Sequence, residues 1–224
     1  MVTKRTVTRK GRDDMDYQAV IFDLDGVICS TDKYHYQAWK QMADSIGVYF
    51  DETINNRLRG VSRMDSLEII LERFDKTLTS QEKERLAEQK NELYKKLLTQ
   101  MSESDLSEEV KDTLNELRKR GKKLAIGSSS KNAKFILERL GLGTYFDAIS
   151  DGTNITKSKP DPEVFLKAAE FLNLEAEKCL VVEDAAAGIQ AAHSGGFSSA
   201  GLGEAAESEY VTYPLRTFRD LLDI

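Results

Sequence analysis

Gln18-Ala-Val-Ile-Phe-Asp-Leu-Asp25 is a short β-branched and aromatic run that ends in two carboxylates. Continuous apolar character over so few residues suits a strand covered on both faces, the setting of a parallel sheet. The pattern returns in Lys123-Leu-Ala-Ile-Gly-Ser-Ser129 and in Cys179-Leu-Val-Val-Glu-Asp184, with weaker versions at residues 146–150 and 199–202. Helical spacing fills the intervals. Leu106, Val110, Leu114 and Leu117 share one face, and Gly121 is placed to end that helix. Asn132 precedes a helix with Phe135, Ile136 and Leu140 as its apolar face, closed by Gly141. Asp161-Pro162 reads as an N-cap with proline at the first helical position, opening a helix that turns Phe165, Ala168, Ala169 and Leu172 inward. Strands alternating with helices predict an α/β protein with a doubly wound, mainly parallel, Rossmann-like sheet.

The stretch between the first strand and Ser107 breaks that alternation. It predicts a helix over 32–46, one or two within 52–74, and a long one over 79–101. The last opens with a capping box, Thr79-x-x-Glu82, and carries Leu86, Leu93 and Leu97 on one face. An all-helical cap domain is therefore expected over 31–102, inserted after the first strand into an α/β core formed by 15–30 and 103–224. Residues 1–14 carry Lys4, Arg5, Arg9, Lys10 and Arg12 against Asp13 and Asp14. They lack the apolar centre of a secretory signal and read as a disordered extension or tag.

With 40% hydrophobic and 31% charged residues among 224, the chain has the composition of an ordinary globular protein, not of a collagen-like or disordered one. No apolar run approaches the ~20 residues of a membrane span. Outside the basic head the chain carries a net charge of −9, which disfavours nucleic acid as a partner. Two cysteines, Cys29 and Cys179, cannot build a disulfide framework, so a reducing cytoplasm is expected. The expected partners are small molecules, with no membrane and no nucleic acid, and the chain is expected to be a monomer.

Ligands of open α/β sheets gather at the carboxyl ends of the strands. There the three strong strands deliver Asp23 and Asp25, Ser128, and Glu183 and Asp184, while Lys159 lies in the loop before the Asp161 helix. Any one of these carboxylates alone reads as a solvated loop residue. Four at one sheet edge repel unless a cation neutralises them. An all-oxygen set suits Mg²⁺, with waters and a substrate phosphate completing its shell. Residues two apart point the same way on leaving a strand. Asp23 is thus the candidate nucleophile toward a phosphoryl group and Asp25 the candidate general acid and base. Ser128 and Lys159 are candidates for neutralising and orienting that group. Cys29 lies close by without a basic partner, so no thiolate nucleophile is expected.

Asp23-Leu-Asp-Gly-Val27, Gly127-Ser-Ser129, Lys159-Pro160 and Glu183-Asp184 stand as four motifs in order, and from about Met15 onward the chain resembles the haloacid dehalogenase-like phosphotransferase superfamily. The resemblance implies an aspartyl phosphate on Asp23, acid–base work by Asp25, and phosphoryl binding by Ser128 and Lys159. It also implies Mg²⁺ held by Asp23, the Asp25 main-chain oxygen, Glu183 and Asp184. Tyr34-His35-Tyr-Gln-Ala-Trp39, Leu58-Arg-Gly-Val-Ser-Arg63 and Ser128-Ser-Ser-Lys-Asn132 resemble the β-phosphoglucomutase branch. That branch interconverts β-glucose 1-phosphate and glucose 6-phosphate through the 1,6-bisphosphate. By this resemblance Arg63, a fork-shaped donor, takes the distal phosphate. Arg59, Gly60, Val61 and Ser62, with Ser129, Ser130, Lys131 and Asn132, complete sugar and phosphate binding. His35 and Thr31 stand at the cap hinge beside Asp25, and Trp39 faces the sugar. Arg59 occupies a position where lysine is common in the family, and Ser129 one where alanine is usual.

Structural alternatives stand beside these roles. Arg63 can start a helix and pair with Asp65 or Glu68, His35 can be a hinge residue without catalytic work, and Trp39 can be cap packing. Lys131 and Asn132 can cap the following helix, and His193 reads as a surface residue. The first functional reading is a Mg²⁺-dependent sugar phosphomutase whose cap excludes water. The second is a hexose-phosphate phosphatase with the same nucleophile. The third is a non-catalytic regulator that binds a sugar phosphate, which leaves Asp23 without a purpose.

Overall fold

The computed structural model describes residues 17–58 and 61–224; the basic head at 1–14 and the contacts expected of Arg59 and Gly60 lie outside the described residues. Strand β1 (Ala19–Phe22) leads into four helices: α1 (Asp32–Ser45), α2 (Glu52–Asn56), α3 (Arg63–Leu71) and α4 (Ser80–Leu98). The chain then alternates through α5 (Glu108–Lys119), β2 (Lys123–Gly127), α6 (Ala133–Arg139), β3 (Ala148–Ser150) and α7 (Glu163–Leu172). It closes with β4 (Cys179–Glu183), α8 (Ala186–Ser194), β5 (Ser198–Gly201) and β6 (Tyr213–Pro214).

The strands form one sheet in the order β3-β2-β1-β4-β5-β6, and every pairing is parallel. Alternation along β1 explains its apolar run. Val20 and Phe22 join the cluster that holds α5 and α6, whereas Ala19 and Ile21 join the one that holds α7 and α8. Both faces are thereby covered, as a parallel sheet requires. Trp39, Met42, Phe50, Ile54, Leu67 and Ile70 form a further cluster within the helical segment.

The long helix starts where its capping box predicts. The Thr79 N–H donates to Glu82 Oε2 at 2.8 Å, and Thr79 Oγ1 accepts from the Glu82 N–H at 3.3 Å. Its buried face differs from the expected one. Ala87, Lys90, Asn91, Tyr94 and Leu98 are buried, while Leu86, Leu93 and Leu97 are only partly covered. One residue along a helix is a rotation of about 100°, so the leucines flank the contact with α1 and do not centre it. In α6, Ala133, Ile136 and Leu137 point inward and Phe135 is exposed. Helix α7 begins at Glu163, with Asp161 Oδ1 accepting from the Glu163 N–H at 3.0 Å. β6 was not expected; it is two residues long and contains Pro214, which a sheet tolerates at its edge. Among the described residues no helix is long and apolar enough to cross a membrane.

Candidate active site

The strand order reverses direction around β1 and β4, the switch point at which open α/β sheets bind ligands. Phe22 and Val182 pair in register, so Asp23 and the Glu183-Asp184 pair emerge side by side from adjacent strands. Ligand oxygens of Asp23, Glu183 and Asp184 all lie within 4.8 Å of one another. The Lys159 ammonium lies 2.5 Å from Asp23 Oδ1 and 2.5 Å from Glu183 Oε1, and its side chain is only 6% exposed. Glu183 Oε2 accepts from the N–H groups of Asp184 and Ala185, each at 3.0 Å. Burial works against the Lys159 charge, yet Asp23 and then Glu183 raise its pKa above the ordinary value. Burial also holds Glu183 above its ordinary value against the pull of Lys159. Asp184 is pushed up to about 7 by burial and by Glu183, Asp23 and Asp25. One lysine does not neutralise this group, and its all-oxygen donors fit a hard divalent cation.

Asp25 is held from the next turn of chain. The Thr31 N–H donates to Asp25 Oδ1 at 2.8 Å and the Thr31 hydroxyl donates to Oδ2. Burial pushes the Asp25 carboxyl up to about 6, against these two donors. His35 Nε2 lies 3.5 Å from Asp25 Oδ2, and Lys90 Nζ lies 2.9 Å from His35 Nδ1. Burial, Lys90 and Arg63 hold the imidazole well below its ordinary pKa, so it is neutral. With Nε2 facing the Asp25 carboxylate, the neutral ring can present its proton there and accept from Lys90 at Nδ1. Burial and Arg63 lower Lys90 to about 7. Cys29 is buried, and burial with Asp25 and Asp23 raises its thiol, so it supplies no thiolate.

A cavity of about 920 Å³ lies between these carboxylates and the helical segment. Asp23, Asp25, His35, Ser128, Lys159 and the Glu183-Asp184 pair line one part of it. Trp39 of α1, Val61 and Ser62 just before α3, and Arg63 at its start line it from the helical segment, and Ser129, Ser130, Lys131 and Asn132 from the loop after β2. That loop is shaped by its own hydroxyls: Ser128 Oγ accepts from the Ser130 N–H and Ser130 Oγ from the Asn132 N–H, both at 3.2 Å. Thr31 is fully buried, outside the cavity lining, with its donors spent on Asp25. Ser62 caps α3, accepting from the Asp65 N–H at 3.2 Å. Arg63 pairs with neither Asp65 nor Glu68. Its Nη2 donates to Asn91 Oδ1 at 2.9 Å, the same oxygen that accepts from Asn132 Nδ2 at 3.2 Å. Asn132 therefore does not cap α6 with its side chain. Trp39 is 3% exposed and packs with the helical cluster, although its edge reaches the cavity. His193 is exposed and stacks on Tyr210.

Lys90, Asn91 and Tyr94 enter the site without having been singled out from the sequence. The available signal was a polar pair inside the stripe Ala87, Tyr94 and Leu98, since Lys and Asn are seldom buried without a partner.

A profile of the haloacid dehalogenase-like hydrolases matches residues 17–196. The chain is 42% identical over 189 residues to a β-phosphoglucomutase of Bacillus subtilis, which covers 84% of each protein. It is 33% identical to a phosphorylated carbohydrates phosphatase of Thermotoga maritima, over 80% of this chain and 82% of that one. The crystal structure of a β-phosphoglucomutase from Clostridium difficile superposes with a TM-score of 0.85 at 37% identity, over 92% of this chain and 93% of that one.

Proposed function

The chain is an enzyme of the haloacid dehalogenase-like hydrolase family, and from that footing we propose that it is a Mg²⁺-dependent β-phosphoglucomutase. In this reading it interconverts β-D-glucose 1-phosphate and D-glucose 6-phosphate through an aspartyl phosphate and a sugar 1,6-bisphosphate. One observation carries the reading: a single cavity holds the Asp23–Lys159 pair among the motif loops and Arg63 on the helical side. A mutase must grip one phosphate while it transfers the other. A hydrolase has no such need.

Asp23 attacks phosphorus, and the bond from phosphorus to the sugar oxygen breaks as Asp25 gives that oxygen a proton. In the other half-reaction Asp25 takes the proton from the C6 hydroxyl of bound β-glucose 1-phosphate, whose oxygen attacks the aspartyl phosphate, frees Asp23 and gives the bisphosphate. Ser128 and Lys159 hold the phosphoryl oxygens. Asp23, the Asp25 main-chain oxygen, Glu183 and Asp184 are the residues to hold Mg²⁺, which supplies charge neutralisation for the transferring group. Arg63, Val61, Ser130, Lys131 and Asn132 bind the sugar and its distal phosphate. Residues 31–102 act as a cap over a core of 15–30 and 103–224, excluding water from the aspartyl phosphate. Two unpaired, buried cysteines fit a cytoplasmic setting.

The test is a coupled assay with β-glucose 1-phosphate, Mg²⁺ and a trace of the bisphosphate. Glucose 6-phosphate outpacing free phosphate is expected. Free phosphate outpacing glucose 6-phosphate favours the phosphatase reading, which the named activity of the Thermotoga relative supports. The binding-only regulator loses its footing, because the chain belongs to a family of enzymes.

A further inference from the structure

Tyr94 of α4 touches two side chains that face the Asp25 carboxylate, Thr31 and His35. It is 2% exposed, and its phenol donates to Thr31 Oγ1 at 3.0 Å. A hydroxyl has one proton to give. With the Tyr94 proton accepted, the Thr31 proton is directed to Asp25 Oδ2, while the Thr31 N–H holds Oδ1 at 2.8 Å. On the other side the Tyr94 ring lies against the His35 imidazole, with centroids 4.1 Å apart and planes 32° apart. That imidazole is the one whose Nε2 stands 3.5 Å from Asp25 Oδ2. The Lys90 ammonium, bonded to the far side of the same imidazole, lies 4.5 Å from the centre of the Tyr94 ring.

We infer that Tyr94 is the positioning residue for Asp25, aiming its carboxylate through the Thr31 hydroxyl and the His35 imidazole, which both meet Oδ2. The inference rests on the acid–base role assigned to Asp25 above. Its consequence is confined to steps in which Asp25 moves a proton. A sugar oxygen leaves phosphorus only with a proton supplied. Acetyl phosphate needs none: Asp23 attacks phosphorus, the phosphorus–oxygen bond breaks, and acetate departs with the electron pair.

The test compares the two phosphoryl donors on the full chain with Mg²⁺. For Tyr94→Phe, kcat on β-glucose 1-phosphate falls about tenfold, with KM changed less than about twofold, as for partial loss of aligned general acid–base catalysis. Phosphorylation of Asp23 by acetyl phosphate stays within about twofold of the unaltered protein, because no proton transfer is lost. In an Asp25→Asn background Tyr94→Phe has no further effect, the non-additivity expected of residues acting as one unit. Thr31→Val, nearly the same shape, reproduces the contrast between donors and decides the matter if Tyr94→Phe folds poorly. Equal losses on both donors, or losses that multiply with Asp25→Asn, overturn the inference. Free phosphate appearing in place of glucose 6-phosphate sinks the mutase reading instead. The contrast between donors still reports on Tyr94 then, since hydrolysis of a sugar phosphate needs the same proton.

Discussion

Lys159 Nζ stands 2.5 Å from Asp23 Oδ1, so the cation of one motif rests on the nucleophile of another 136 residues away. The same ammonium bridges to Glu183, whose side chain is 1% exposed. Lys159→Met strands both carboxylates in a buried setting, and breaking such a pair costs about 3–5 kcal/mol. Thermal unfolding in Mg²⁺-free buffer should shift down markedly, with partial recovery on adding Mg²⁺, and acid trapping should find no aspartyl phosphate. An unchanged melting temperature would contradict the assigned charge balance.

Asp184 gives a pH dependence. Its pKa is raised from 3.8 to about 7 in the folded chain, so the folded protein binds a proton over that window which the unfolded chain releases. Its stabilising effect is full below pH ~4 and is lost as pH rises through about 7 in the absence of metal. Mg²⁺ must displace this proton, so its affinity should climb up to about tenfold per pH unit below 7 and level off above. Calorimetric titrations over that span read the slope directly; a flat affinity would remove Asp184 from the metal site.

Arg63→Ala removes the donor on the helical side while Asp23, Asp25 and Lys159 stay in place. Mutase turnover should fall about a hundredfold or more, the scale of a lost charge-assisted phosphate grip with its alignment. Hydrolysis of p-nitrophenyl phosphate, which has no second phosphate, should change less than about threefold. Comparable losses for both substrates would argue for a phosphatase.

Gly26 adopts φ +89°, and a Cβ added there would lie 2.0 Å from Asp184 Oδ2. Gly26→Ala therefore strains the backbone and displaces a proposed metal ligand. A stability loss of about 1–3 kcal/mol is expected, together with weakened Mg²⁺ binding in calorimetry. If Mg²⁺ binds the variant as tightly as it binds the unaltered chain, Asp184 tolerates displacement and the assignment is wrong.

The centre of the sheet was legible because β1, β2 and β4 are short apolar runs leading into polar residues, a pattern that survives without knowledge of its neighbours. Asp23, Ser128 and Glu183 could be placed together because strand ends in a parallel sheet converge whatever the loops do, whereas Lys159, in a loop, was legible only through its motif. Helix α4 was harder. Its leucines at 86, 93 and 97 suggested one face, but Lys90 and Asn91 are buried on a neighbouring one by partners from α1, α3 and the loop after β2. A polar residue inside a helix announces such a role only when its distant partner is known. β6 escaped for a related reason: two residues with a proline have no periodicity, and only pairing with β5 makes them a strand.

The central position of β1 bears on how the protein is made. Ala19 pairs with Lys123 on one flank and Cys179 on the other, so the earliest strand to leave the ribosome waits longest for company. Until the second flank arrives, a nascent chain holds an apolar ribbon with an open edge, a hazard typical of non-local parallel pairing. Fragments ending before Cys179 should therefore aggregate or engage chaperones.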